Sequence, residues 1–439
     1  MTNKNNKNMQ YYSLNNKAQN VSFKDAVIKG LAPDKGLYFP EKIAPLPKDF
    51  FNHIEYFSNE EIALEVIKQF VGDEIPEAAL KEIIVETLNF DFPIVKINDN
   101  IATLELFHGP TMAFKDVGAR FMARCLAYFN KQENTKKITV LVATSGDTGG
   151  AVASGFLGVK GVDVVILYPS GKVSDVQEKQ LTTLGNNIIA LEVEGTFDDC
   201  QEMVKKAFLD SDLILNKNLT SANSINVARW LPQMFYFFFA YKQLKSKHRD
   251  LVFSIPSGNF GNICAGIMAQ QLGLPVKQFI ASTNVNDIVP NYLKTGKYIP
   301  KLSKQTISNA MDVGNPSNFV RILEIYNNDI STLKKHLSSY SFTDNETREA
   351  MKELKQKYNY IADPHGAVGY LGLKKYFIKN NAQGIFLETA HPVKFLDVVE
   401  PVINETIALP KQIKEVIEKQ KVSIKISKYD ELKQFLLVK

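Results

Sequence analysis

Lys115 occupies an unusual position for an ammonium group. It lies between Phe114 and Val117, after the Gly109-Pro110 turn, and opens an apolar helical pattern through Phe121, Met122, Cys125 and Leu126. Apolar neighbours disfavour the charged form of a lysine, and the positive end of a helix does the same, so both depress its pKa and leave a nucleophilic amine. Such an amine forms Schiff bases with carbonyl compounds. The alternative is a lysine whose stem crosses the helix start and releases its charge to water.

Two other stretches bear on that choice. Val140-Leu141-Val142-Ala143 reads as a strand that ends in Thr144-Ser145-Gly146-Asp147-Thr148-Gly149-Gly150, with a helix from Ala151. Val252 to Pro256 likewise runs into Ser257-Gly258-Asn259-Phe260-Gly261-Asn262, with a helix from Ile263. At such junctions the backbone amides have no intrahelical partner and glycine lets an anion approach, so each loop can cradle a phosphate or a carboxylate. Neither fits the dinucleotide or mononucleotide glycine patterns, and Ser170-Gly171-Lys172-Val173-Ser174 lacks the upstream glycine of a P-loop. Nucleotides lose ground as ligands.

Between the cradles, Asn223-Ser224-Ile225-Asn226-Val227-Ala228-Arg229 reads as a helix start on which Asn223, Asn226 and Arg229 can face one anion, the guanidinium fork suiting a phosphate. The strand-like Gly384 to Leu387 leads to Glu388-Thr389-Ala390-His391-Pro392, putting the Thr389 hydroxyl at a strand end. His365 and His391 read as turn or capping residues, and no histidine spacing suggests a metal site.

The elements that must hold these groups fall into two parts. Residues 11 to about 93 predict helices at Ser22–Lys29, Asn59–Val71 and Glu77–Thr87, with a proline-punctuated loop from Pro33 to Pro47 in which Gly36 to Pro40 packs its aromatics. From Ile94 onward, strands at 138–143, 164–168, 188–193, 251–255 and 278–281 alternate with helical patterns, which predicts parallel sheets with helix crossovers. Open sheets of that kind bind ligands beyond the carboxyl ends of their strands.

A chain of 439 residues has room for two or three domains, and 45% hydrophobic with 23% charged residues is ordinary for a soluble enzyme. The net charge of +5 is spread along the chain with no aromatic-studded basic stripe, which argues against nucleic acid as partner. Cys125, Cys200 and Cys264 are far apart, so neither a disulfide framework nor a cysteine-rich metal site is expected, and a reducing cytoplasm fits. The aromatic run Met234–Tyr241 is much shorter than the ~20 residues of a membrane helix and predicts a buried one. Met1 to Gln10, rich in Asn and Lys, lacks the apolar core of a secretory signal and is expected to be a frayed end.

A lysine suited to Schiff bases, two anion cradles and a strand-end hydroxyl suggest a pyridoxal phosphate enzyme. The chain resembles the threonine synthase family in its longer microbial branch, with a tryptophan-synthase-β-like fold. The resemblance runs through His108-Gly109-Pro110-Thr111, Phe114-Lys115-Asp116, Ala143 to Gly149, Ile255 to Gly261, Thr283 to Asp287, Ser308 to Val313, Asp363-Pro364-His365 and Thr389 to Pro392. It implies a fold type II α/β enzyme with two open lobes of parallel sheet plus an N-terminal helical module over 1–93. The catalytic region is then 94–439, its smaller lobe roughly 117–215.

By the same resemblance, pyridoxal 5'-phosphate is the cofactor and Lys115 the catalytic residue that holds it and later shuttles protons. Ser257, Gly258, Asn259, Phe260, Gly261 and Asn262 form the cofactor-phosphate loop, and Thr389 faces the pyridine nitrogen. Thr144, Ser145 and Thr148 hold the substrate carboxylate, and Asn223, Ser224 and Arg229 the substrate phosphate. Asp147 stands where shorter relatives have Asn beside the cofactor ring oxygen. The implied reaction converts O-phospho-L-homoserine and water to L-threonine and phosphate, in a cytoplasmic monomer or weak homodimer with no metal, nucleic acid or membrane partner. Two other functions fit the same motifs: a phospholyase giving 2-oxobutyrate, and a non-catalytic phosphometabolite-binding protein.

Overall fold

The computed structural model of the protein describes residues 9–133, 137–245 and 250–438, so all but the last two residues of the expected frayed end lie outside it. Its strands are β1 (Gln10–Ser13), β2 (Val21–Ser22), β3 (Tyr38–Pro40), β4 (Ile94–Lys96), β5 (Ile101–Glu105), β6 (Ile138–Ala143), β7 (Val162–Pro169), β8 (Ile188–Val193), β9 (Asn218–Ser221), β10 (Leu251–Pro256), β11 (Gln278–Thr283), β12 (Leu337–Ser341), β13 (Gln383–Glu388) and β14 (Ile424–Ile426).

In the N-terminal part, the helix Asn59–Val71 begins at a capping box in which Ser58 accepts from the Glu61 amide and Glu61 returns to Ser58. It buries Ile62, Ala63, Val66, Ile67 and Phe70, spaced to form one face. The helix Glu77–Thr87 packs beside it. Beside the expected helices and loop, the structure has a small antiparallel sheet in the order β2-β1-β3. Its strands are four, two and three residues long, too short to display an alternation.

Two further sheets carry the rest. One has the order β12-β11-β10-β13-β5-β4, parallel except where β4 runs antiparallel to β5, and the other the all-parallel order β14-β8-β7-β6-β9. Helices cover both faces of a parallel sheet, so strands such as β7 and β10 are buried at every residue and read as apolar runs broken only by Asp163 and Ser254. The edge strand β14 arrives from far along the chain. Lys421, just before it, reaches Glu178 at 2.6 Å and Glu192 at 2.9 Å.

The aromatic run forms the helix Phe235–Leu244, buried on nearly all sides. Phe238 packs on Phe50 and Phe51, while Tyr236 and Phe239 pack on Phe92, so one continuous apolar core joins the N-terminal part to both α/β sheets. Among the described residues, no helix is long and apolar enough to cross a membrane.

Candidate active site

The carboxyl ends of β6, β10 and β13 meet the first turn of the helix Lys115–Glu133 around one cleft, of about 840 Å³ including its open mouth. Its walls carry Lys115, Ser145, Thr148, Asn223, Ser224, Arg229, Gly258, Asn259, Phe260, Gly261, Asn262 and Thr389. The three stretches singled out in sequence thus converge. Thr144, Asp147 and Ser257 stand behind the wall, buried.

Lys115 opens its helix, as the Gly-Pro turn predicts. The turn is pinned by Asp116, whose carboxylate accepts from the Thr111 amide at 2.9 Å and the Thr111 hydroxyl at 2.5 Å. The next link reaches the strand end: Phe114 N–H donates to Thr389 carbonyl at 2.9 Å, and His391 N–H to Met112 carbonyl at 3.0 Å. Lys115 and Thr389 are therefore held in fixed register. Desolvation lowers the Lys115 pKa to about 8, the nearby Arg229 and Lys394 adding to the effect and Asp147 opposing it.

In the first glycine loop, Thr144 Oγ1 turns inward and accepts from the amides of Gly146 at 2.9 Å and Gly149 at 2.8 Å. The helix starts at Asp147, four residues before the sequence expectation, because this hydroxyl supports the first turn from within. Asp147 points to the buried Lys394 at 2.7 Å and accepts from Gln177 Nε2 at 2.9 Å. Burial raises its pKa, but Lys394, Lys115 and Gln177 outweigh that and hold the carboxyl well below the usual range.

The second loop bends through Phe260 at φ +62° and starts its helix at Gly261. Ser257 Oγ donates to Ile255 carbonyl at 2.8 Å and Asn262 Nδ2 to Pro256 carbonyl at 2.9 Å, which tie the loop back to its strand. A Cβ on Gly258 would lie 2.7 Å from Ala310 O and 2.9 Å from Met311 Cα, so only glycine lets the loop lie against that backbone.

Arg229 is 2% exposed, and its Nε and Nη1 have no partner among the described residues. Burial lowers its pKa to about 10, so it remains charged near neutrality. Its approach to Lys115 depends on Gly118, where a Cβ would sit 2.4 Å from the Arg229 carbonyl. Asp116 is near enough to favour the charge of Arg229, but no carboxylate forms an ion pair with it among the described residues, and a buried guanidinium on a cleft without such a partner calls for an anion.

Several neighbours of the site go beyond the residues expected from the sequence. Lys394 follows the strand end in Pro392-Val393-Lys394-Phe395, and a lysine in apolar company was the cue that singled out Lys115; the same cue would have found it. Asn318 and Arg321 carry no such signal. His365, expected to cap or turn, lines the cleft with Nδ1 2.5 Å from Asp363 and Nε2 accepting the Ala310 amide at 3.2 Å.

Comparison with known proteins gives three family matches: "Pyridoxal-phosphate dependent enzyme" over residues 93–384, "Threonine synthase N terminus" over 10–88 and "Threonine synthase, C-terminal" over 366–436. A threonine synthase of Buchnera aphidicola subsp. Baizongia pistaciae is 45% identical, covering 98% of this chain and 100% of that protein. The crystal structure of threonine synthase from Escherichia coli superposes with a TM-score of 0.93 at 42% identity, over 98% of this chain and 100% of that one. The PLP-bound threonine synthase from Brucella melitensis gives 0.90 at 34% identity, over 98% and 99%.

Proposed function

The chain belongs to the threonine synthase family of pyridoxal-phosphate-dependent enzymes, and on that premise we propose how its own residues divide the work. The reaction takes O-phospho-L-homoserine and water to L-threonine and phosphate, with pyridoxal 5'-phosphate as cofactor. The residues around the cleft fit that cofactor: a lysine of lowered pKa, a glycine loop whose Gly258 lies too close to the Ala310–Met311 backbone to carry a Cβ, and a neutral hydroxyl at Thr389. When bound, pyridoxal phosphate supplies the electron sink that eases proton loss from the carbons near the substrate amine.

Lys115 Nζ would hold the cofactor and, with its lowered pKa, would move protons at the alpha and beta carbons of the substrate. The Ser257–Asn262 loop receives the cofactor phosphate, and Thr389, being neutral, does not hold the pyridine nitrogen protonated as a carboxylate would. Ser145 and Thr148, backed by Thr144, hold the substrate carboxylate. Asp147 sits at the cofactor end of the same loop, its charge balanced by Lys394. Asn223, Ser224 and Arg229 hold the substrate phosphate and stabilise it as the carbon–oxygen bond breaks at the gamma carbon and the electron pair leaves with oxygen. Water adds its hydroxyl at the beta carbon and gives its other proton to the released phosphate, while the proton lost from the beta carbon is matched by one gained at the gamma carbon, which becomes the methyl group, and the alpha carbon recovers its proton.

The observation that carries this reading is the unpaired, buried Arg229 guanidinium on the same cleft as Lys115. We further propose an N-terminal module over 1–93, a catalytic region over 94–439, and action in the cytoplasm as a monomer or weak homodimer. The three buried, unpaired thiols suit a reducing compartment. Product analysis on O-phospho-L-homoserine is the test. Threonine with equimolar phosphate supports the proposal; 2-oxobutyrate as the main product makes this a phospholyase instead.

A further inference from the structure

Arg321 is fully buried, yet no carboxylate pairs with it among the described residues. Four of its N–H groups go to neutral acceptors. Nη1 donates to the Ser224 carbonyl at 3.2 Å and Asn318 Oδ1 at 2.6 Å; Nη2 donates to the Ile225 carbonyl at 2.5 Å and the Tyr38 carbonyl at 3.0 Å. Its guanidinium lies 4.7 Å from the Trp230 ring, whose plane stacks with Phe39. One side chain therefore ties β3 of the N-terminal part to the turn that leads into Arg229. A planar fork with fixed donor directions can do this; a lysine cannot.

Its partner Asn318 reaches both anion-binding loops. Asn318 Nδ2 donates to Ser224 Oγ at 3.0 Å, and its backbone N–H donates to the Asn259 carbonyl at 3.1 Å. Ser317 Oγ adds a bond to Asn259 Oδ1 at 3.2 Å. At Gly261 a Cβ would come within 3.3 Å of Ser224 Cβ and 3.4 Å of Asn318 Nδ2, so the loops touch where the side chain is missing. With the Ser224 carbonyl held by Arg321, the trans peptide turns the Ile225 N–H to the opposite side.

We infer that Arg321, acting through Asn318 and the Ser224–Ile225 turn, is a positioning residue that fixes the substrate-phosphate site relative to the cofactor-phosphate loop. This rests on the proposed assignment of Asn223, Ser224 and Arg229 to the substrate phosphate. It makes the spacing of two anions along the cleft, rather than the charge of either site alone, the basis for accepting an amino acid with a phosphate ester at its far end. It also gives β3 a role in substrate choice.

The experiment measures competitive inhibition of the holoenzyme by inorganic phosphate and, separately, by L-threonine, which has the amino-acid end but no phosphate. In Arg321→Gln the inhibition constant for phosphate should rise about tenfold or more, the worth of one or two lost hydrogen bonds, while that for L-threonine stays within about twofold. Arg321→Lys, which keeps the charge without the fork, should behave like Arg321→Gln; a wild-type constant in Arg321→Lys would reduce the role to charge and overturn the inference. Equal rises for both inhibitors mean general distortion and overturn it as well. Arg229→Gln serves as the control. If phosphate inhibition weakens there but not in Arg321→Gln, the phosphate site stands and the positioning role falls; if it weakens in neither, both fall. Should Arg321→Gln fail to fold, Asn318→Ala is read by the same two constants, with the same phosphate-selective rise expected and its absence decisive.

Discussion

Lys394 Nζ lies 2.7 Å from a carboxylate oxygen of Asp147, and both side chains are buried. A buried pair of this kind is costly to break from one side, because the remaining charge is stranded. Lys394 also donates to the Thr111 carbonyl at 2.9 Å, as does Gln180 Nε2 at 3.1 Å. The pair thus joins the first glycine loop to the turn that carries Lys115.

Asp147→Asn and Lys394→Met should each lower stability to urea by about 3–5 kcal/mol. The double variant should lose clearly less than the sum. Single effects that add to within about 0.5 kcal/mol would show that the two charges do not interact.

The lowered pKa of Lys115 has a definite signature. Between about 8 and its ordinary value of 10.5, the unfolded chain holds a proton that the folded protein has released. In that window the group's contribution to stability therefore rises with pH, and the rise vanishes in Lys115→Met. On mixing the cofactor-free protein with pyridoxal phosphate at different pH, the lysine-bound absorbance should grow with a midpoint near 8. Borohydride treatment followed by peptide mapping should then find the label on Lys115; a label on another lysine removes it from the centre of the site.

Arg229→Ala should reduce kcat/KM for O-phospho-L-homoserine by roughly two to four powers of ten, since charge-assisted hydrogen bonds are worth about 1.5–3 kcal/mol each. The cofactor spectrum should be unchanged. Wild-type kcat/KM would remove Arg229 from the phosphate site.

Gly258→Ala introduces a Cβ against backbone at 2.7 and 2.9 Å, and neither Ala310 nor Met311 can yield as a flexible side-chain tip could. Cofactor affinity, titrated by fluorescence, should weaken by about tenfold or more while secondary structure by circular dichroism is kept. Unchanged affinity would mean that the loop tolerates the shift and is not shaped around an anion.

The α/β order was legible because long buried strands such as β6 and β8 run with the expected bounds, and the helices Asn59–Val71 and Glu77–Thr87 carry a clear apolar face. The cleft was legible where glycine, lysine and hydroxyl stand in unusual company, at Lys115, Ser145 and Gly258. What escaped depends on pairing across long separations. β9, β12 and β14 are short and partly polar, and only their neighbours make them strands. Arg321 looks like any helical arginine until Tyr38, 283 residues away, supplies a carbonyl.

The edge strand β14 bears on how the molecule is made. Ser423 donates to Glu192 across 231 positions of chain, and Lys421 reaches the same carboxylate. During synthesis from the amino end, β6 to β9 leave the ribosome long before their last partner, with the β8 border bare and Glu192 lacking its cation. An uncapped strand border is a template for pairing with other chains. Completing that border is a late, long-range event, and such events are slow and expose the nascent chain to aggregation. The smaller sheet thus shares with the larger one, whose β5 waits for β13, a strand border left open until late in synthesis.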